Sequence, residues 1–224
     1  MRKHQAVLPF VMGGLAFVGF LLAAAIMTTA VQPLWEETMV LLLPAAVLCA
    51  VGFSVRKGIL SPRTATVLTV VLSAVFLLLS LGYLFFLSLR AATTVTTDTK
   101  FYERAYDRID GDERIRACFP PHVPSDAQEV DFCYRPQFLQ GGEVFRLSYR
   151  TTEERIIERI PELQAAAEWS GSDEDWYAMH RQGSGDSGSV RFQLFGSGFG
   201  NHGEECCVLI DRADCRITFY YSRW

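Results

Sequence analysis

Three apolar runs fill the first ninety residues, over 6–30, 39–55 and 64–89, and none contains a charged side chain. A helix needs about 20 apolar residues to cross the hydrocarbon layer of a bilayer, within a range of roughly 17–25. The first and third runs meet this comfortably. The second is at the short limit and contains Pro44, so a re-entrant or buried segment competes with a full crossing there. Trp35 and Phe53 flank it as candidate interface anchors. The expected organisation is a three-helix membrane region over 1–90, a polar Thr-rich linker over 91–99, and a separate domain over 100–224.

Basic residues set the expected orientation. Arg2 and Lys3 precede the first run, and Arg56, Lys57 and Arg63 lie between the second and third. The loop over 32–38 has no Lys or Arg and carries Glu36 and Glu37. The positive-inside rule places the N-terminus and the second loop in the cytoplasm, so three crossings leave the C-terminal domain extracytoplasmic. A cleavable signal is the competing reading of the first run, with 1–5 as its basic region and Ala23-Ala24-Ala25 as its cleavage site. That run is longer than the usual 7–15 apolar residues of such a signal. Removing it would leave two crossings and the same side for the domain. The runs hold none of the ionisable groups that mark ion pathways and proton relays, which argues against a channel or pump. Gly19 with Ala23 and Ala46 with Ala50 have the spacing of close helix contacts.

Charge divides at the same boundary. Residues 1–97 hold six Lys or Arg against two Glu, and residues 98–224 hold fifteen against twenty-three Asp or Glu. An acidic outer domain argues against nucleic acid and against tight docking on anionic lipid. Five of the six cysteines lie in it: Cys118, Cys133, Cys206, Cys207 and Cys215. An exoplasmic compartment permits disulfides, and an odd count leaves at least one thiol over. Cys118 with Cys133 is the first choice of pair. Arginine outnumbers lysine eighteen to three, a usage typical of a GC-rich genome, and no Asn-x-Ser/Thr sequon is present.

Within the outer domain, residues 99–110 carry Phe101, Tyr102, Ala105, Tyr106 and Ile109 at helical spacing, with Gly111 as a stop. The prolines of 119–124 demand an extended path. Residues 129–134 and 144–150 read as an antiparallel hairpin, since Phe145, Leu147 and Tyr149 alternate with Arg146 and Ser148. Thr151 and Glu154 make a capping-box pattern before the stripe Ile156, Ile157, Ile160 and Leu163, which Pro161 interrupts or kinks. Loops are expected over 170–175 and 183–189, and strands over 176–180 and 190–195. The last hairpin joins 206–211 to 215–221 through Arg212-Ala213, opposing Ile210 to Cys215, Val208 to Ile217 and Cys206 to Phe219. The expected fold class is α+β: a mainly antiparallel sheet of about five or six strands with one helix packed across a face.

Several short motifs resemble chemistry. Gly185-Asp186-Ser187-Gly188 copies the tetrapeptide around a serine-protease nucleophile, but Ser189 stands where glycine would continue it. Neither His122 nor His180 has the context of a base. Gly198 to Gly203 fits G-x-G-x-x-G, yet a strand follows it instead of the helix that would bind pyrophosphate. His180, His202, Cys206 and Cys207 lack zinc-ligand spacing. Asp173-Glu174-Asp175 with Asp186 lacks EF-hand spacing for calcium. No catalytic, cofactor-binding or metal-binding residue is assigned.

The stretch Phe119-Pro120-x3-Pro124-x2-Ala127, then Phe132-x-Tyr134-x-Pro136-x-Phe138-Leu139-Gln140-Gly141-Gly142, resembles small, largely uncharacterised membrane-anchored proteins of Gram-positive bacteria. The ending Ile217-Thr218-Phe219-Tyr220-Tyr221-Ser222-x-Trp224 is similar to theirs too. The resemblance covers 119–224 and implies location and fold unity, with no catalytic residue carried across. The function expected is a polytopic membrane protein that presents an extracytoplasmic binding module. Its partners would be the bilayer and another membrane or envelope protein. Tyr102, Tyr106 and Tyr149 would serve either the binding surface or the core. The alternatives are a thiol-active enzyme using Cys206 or Cys207 with His202, or a ligand sensor with a polar pocket lined by Arg146 or Arg191.

Overall fold

A computed structural model describes residues 7–109, 113–139, 141–180, 185–197 and 203–224. The chain divides into two compact units, one ending at Ala92 and the other beginning at Thr93. The first unit contains three helical segments long and apolar enough to cross a membrane, Val7–Thr28, Trp35–Arg56 and Pro62–Thr93. The first and third are the continuous helices α1 (Val7–Thr28) and α4 (Pro62–Thr93).

The middle segment is longer than its apolar run. It joins α2 (Trp35–Met39), a single 3-10 turn (Val40–Leu42) and α3 (Leu43–Arg56). Glu36 and Glu37 occupy the first turn of α2, where the helix dipole favours anions. Pro44 falls in the first turn of α3, where a missing N–H breaks no helical bond. The proline is thereby accommodated inside a full-length span.

Small residues let α1 and α3 approach closely at Gly13 and Gly52, and of the positions the spacing indicates Ala23 is fully buried, whereas Ala46 and Ala50 are exposed. A Cβ on Gly13 would lie 3.0 Å from Cys49 Sγ, and one on Gly52 would lie 2.9 Å from the Phe10 ring. Gly19 meets nothing within 4 Å. At one end of the unit the Tyr83 hydroxyl donates to the Glu37 carbonyl at 3.0 Å, and Arg90 pairs with Glu37 at 3.2 Å.

The second unit is built on a six-stranded sheet in the order β1-β2-β6-β5-β4-β3, with every neighbouring pair antiparallel. Its strands are β1 (Gln128–Arg135), β2 (Glu143–Arg150), β3 (Trp169–Ser172), β4 (Ser189–Gly196), β5 (Glu204–Asp211) and β6 (Arg216–Arg223). Alternation along paired strands separates two faces. One carries Phe132, Tyr134, Phe145, Leu147, Tyr149, Ile217, Phe219, Tyr221, Cys206, Val208 and Phe192, all buried. The other carries Arg146, Ser148, Arg150, Arg216, Thr218, Glu205, Cys207 and Arg191.

The aromatic face is covered by α5 (Tyr102–Tyr106), α6 (Glu113–Cys118) and α7 (Glu153–Ala166). Tyr102 meets Phe132 and Phe145 at ring separations of 5.4 and 5.5 Å, and Phe119 meets Phe145 edge-on at 4.8 Å. The mixed α+β class is as expected, with more helical cover than one helix. Several local expectations change. Thr152, not Thr151, caps α7, its side chain accepting the Arg155 N–H at 3.4 Å. Pro161 lies within α7, which continues to Ala166.

Residues 170–175 form no loop and 176–180 no strand: β3 runs to Ser172 and the helix α8 (Asp173–His180) takes the rest. Ser172 Oγ accepts the Asp175 N–H at 3.1 Å, and three acidic residues fill the first turn. These are helix-start signals that outweigh a short apolar pattern. In the last hairpin, Ile210 opposes Ile217, Val208 opposes Phe219 and Cys206 opposes Tyr221. The turn holds four residues because Asp211 Oδ1 accepts the Ala213 and Asp214 N–H groups and Cys215 adopts φ 48°. The shift is two residues, so each side chain keeps its expected face.

Phe145 is fully buried among four aromatic rings. Phe145→Ala is expected to destabilise the sheet domain by about 3–5 kcal/mol. Chemical unfolding of the detergent-solubilised protein, followed by near-UV circular dichroism, measures the loss.

Candidate functional site

Two places gather charged side chains against the sheet, one on each face. On the polar face Arg191 projects from β4 and is 2% exposed. Its Nη1 donates to Asp173 Oδ1, its Nη2 to Glu205 Oε2 and its Nε to Gln193 Oε1, each at 2.8 Å. The guanidinium also lies over the Trp176 and Tyr177 rings, at 5.0 and 5.7 Å. Gln193 in turn donates to the carbonyls of Phe195 and Gly196 where the β4–β5 register shifts. Burial pushes the Glu205 carboxyl above the usual carboxylate range, against the pull of Arg191.

Every nitrogen of this guanidinium is committed to the protein. Arg191, a candidate for lining a ligand pocket, instead fastens α8 to the sheet. Arg146, the other such candidate, pairs with Asp131 at 2.6 Å on the polar face. Beside it, Arg150 and Arg216 bridge Glu129 and Asp214. Hydrogen bonds from the two arginines hold the Asp214 carboxyl down at about 2.

The aromatic face holds an open cleft of about 670 Å³ between α7 and the segment that follows α6. Tyr149, Ile217 and Phe219 form its floor, with Phe119 at one side. Arg116, Arg155 and Arg159 stand around it with one carboxylate, Asp126. Arg155 and Arg159 come from successive turns of α7. Arg155 pairs with Glu158 at 3.3 Å and approaches Asp126 at 3.7 Å, and Arg159 pairs with Glu162 at 2.6 Å. These pairs are exposed, and exposed pairs contribute little and exchange readily.

Among the described residues, Arg116 Nη2 donates to a backbone carbonyl, that of Asp107, at 3.1 Å. Burial raises the pKa of Tyr149, so its hydroxyl stays protonated, and it makes no hydrogen bond among the described residues. The arrangement offers a flat aromatic and aliphatic surface beside three guanidinium groups, of which Arg155 and Arg159 have exposed carboxylate partners. Such a site takes an anionic group attached to an apolar body. Sequence reasoning did not single out Arg116, Arg155 or Arg159. The one readable signal was the i,i+4 spacing of Arg155 and Arg159, which puts both on one helix face.

The other candidates are dispersed. Ser187 makes no hydrogen bond among the described residues, and no base among them is seated beside it. His122 pairs with Glu103 at 2.8 Å, and the Ser189 hydroxyl donates to Asp186 Oδ2 within a turn. Asp173 is committed to Arg191 and to the Asp186 N–H. Residues 198–202, including His202 and most of the glycine pattern, lie outside the described residues.

No disulfide joins any of the six cysteines. Cys118 and Cys133, the expected pair, cannot meet. Cys133 opposes Arg146 on the polar face, whereas α6 carries Cys118 over the aromatic face. Cys206 and Cys207 are adjacent and point to opposite faces, each buried. Burial pushes the Cys207 thiol up to about 12. A nucleophilic cysteine needs a lowered pKa and access, and Cys207 has neither.

No family model matches the chain, and no curated protein or solved structure matches it either.

Truncating Arg191 leaves Asp173 and Glu205 buried without their cation. Arg191→Ala is therefore expected to cost about 3–5 kcal/mol in unfolding free energy. The raised pKa of Glu205 makes its contribution full below the ordinary carboxylate range, with loss as pH rises through the folded value. Unfolding midpoints measured from neutral pH into mild acid should show this acid-side gain in the native protein and not in Glu205→Gln.

Proposed function

We propose that this chain is a polytopic membrane protein that presents its sheet domain outside the cell as a binding module. Three candidate spans followed by a sheet domain support membrane residence. The orientation rests on charge. Arg56, Lys57 and Arg63 flank the turn between α3 and α4, while the turn before α2 has no basic residue. With Arg2 and Lys3 they put the N-terminus inside and the sheet domain outside.

The cleft on the aromatic face is the binding site in this reading. The observation that carries it is the set of Arg116, Arg155 and Arg159 around an aromatic floor, on a domain that is otherwise acidic. The occupant that fits is a short acidic segment with an aromatic or aliphatic side chain, carried by another membrane or envelope protein. The guanidinium groups would take its carboxylates, and Tyr149, Ile217 and Phe219 its apolar side chain. The closed, protonated Cys207 and the unsupported Ser187 favour binding over catalysis.

A photocrosslinking amino acid in place of Ala117, which is exposed at the cleft, tests this in native membranes. The expected result is one crosslinked partner in near-stoichiometric yield. Its yield should fall at least tenfold in Arg116→Glu/Arg159→Glu. A crosslink pattern indifferent to charge reversal, or no crosslink at all, would count against the cleft.

A further inference from the structure

The aromatic face also holds a pair of nucleophilic side chains that the cleft does not use. Cys118 is the last residue of α6, and Cys206 lies near the start of β5. Arg114, one turn before Cys118, stands over the Phe195 ring at 5.2 Å. Phe195 is the register partner of Cys206 on β4, so α6 crosses the sheet at Cys206. The neighbouring Cys118 thiol, together with burial, holds the Cys206 thiol well above the usual thiol range. Cys118 Sγ also donates to the Arg114 carbonyl at 3.0 Å.

We propose that Cys118 and Cys206 are the disulfide site of the sheet domain, tying α6 and the cleft wall that follows it to β5. No other pair in the domain qualifies. Cys133, Arg146, Tyr220 and Cys207 form one row across β1, β2, β6 and β5. Three strand spacings therefore separate Cys133 from Cys207, roughly 14 Å. A disulfide spans at most about 7 Å between Cα atoms. Cys215 sits in the β5–β6 turn, and Cys49 belongs to the membrane unit.

The oxidant required is a disulfide donor, either a thiol oxidoreductase or a small-molecule disulfide. Cys118, the more accessible of the two, attacks the donor as thiolate and expels one donor thiolate, which takes up a proton. Cys206, deprotonated, then attacks the Cys118 sulfur of the mixed disulfide and expels the second donor thiolate. Two cysteine S–H bonds and the donor S–S bond are replaced by one protein S–S bond and two donor S–H bonds. Burial of Cys206 in the finished fold places this exchange during folding, before α6 closes over β5.

The proposal rests on the extracytoplasmic reading for its oxidising compartment. The test therefore has two arms. In the first, cells are acid-quenched and the full-length protein is alkylated under denaturing conditions. The expected count is four thiols, at Cys49, Cys133, Cys207 and Cys215, with the protected pair mapping to Cys118 and Cys206. In the second, the purified protein is reduced and refolded with glutathione disulfide. The same linkage should form, and its reduction should lower the melting temperature by roughly 10 °C. Cys118→Ser should abolish that shift, and Cys133→Ser should preserve it. Linkage in the refolded protein but six thiols in cells would overturn the compartment and retain the pair. No linkage in the second arm, or protection of any other cysteine, would overturn the pair itself.

Discussion

The period-two alternation of side chains along β2, β6 and β5 is the constraint on which the rest of the sheet domain depends. It sends Phe145, Leu147, Phe219 and Val208 to one side and Arg146, Thr218, Leu209 and Glu205 to the other. The aromatic side must be covered, and α5, α6 and α7 cover it. Where that cover is incomplete, between α7 and the proline-rich segment, the cleft remains. The same alternation places Cys206 beneath α6 and Cys207 away from it.

The polar face solves a different problem. An arginine is buried there, and an isolated buried charge costs far more than a folded domain can spare. Two carboxylates and one amide satisfy Arg191, and two aromatic rings lie against it. One of the carboxylates, Asp173, begins α8, so the ion cluster and the docking of that helix are a single event. A buried cluster of this kind adds little net stability over a well-packed apolar one, but it is intolerant of partial removal. Its effect here is to fix where α8 lies on a face that lacks a continuous apolar surface.

Much of this architecture was legible in the sequence. Uncharged runs of bilayer length stand out, and Pro44 in the second run becomes intelligible once it lies in the first turn of α3. The alternation of Phe145, Leu147 and Tyr149 identified β2 and its core face. The β5–β6 register lies two residues from the one a two-residue turn dictates, because the side chain of Asp211 and the positive φ of Cys215 widen the turn. Residues 176–180 have the apolar pattern of a strand, and the Ser172 cap with three acidic residues behind it makes them a helix instead. The cleft and the Cys118–Cys206 contact were not legible. Each joins segments brought together only by the complete sheet, and residue spacing carries no record of that meeting.

The chain joins three candidate spans to a separate sheet domain, and the proposed binding role depends on the side of the membrane on which that domain lies. The most direct measurement places topology reporters after Trp224 and, in truncated chains, after Gly58. Alkaline phosphatase folds only outside the cytoplasm, and green fluorescent protein fluoresces when exported by the general secretory route only if it stays inside. An extracytoplasmic sheet domain gives phosphatase activity after Trp224 and fluorescence after Gly58. Fluorescence after Trp224 would place the sheet domain in the cytoplasm and contradict the proposed orientation.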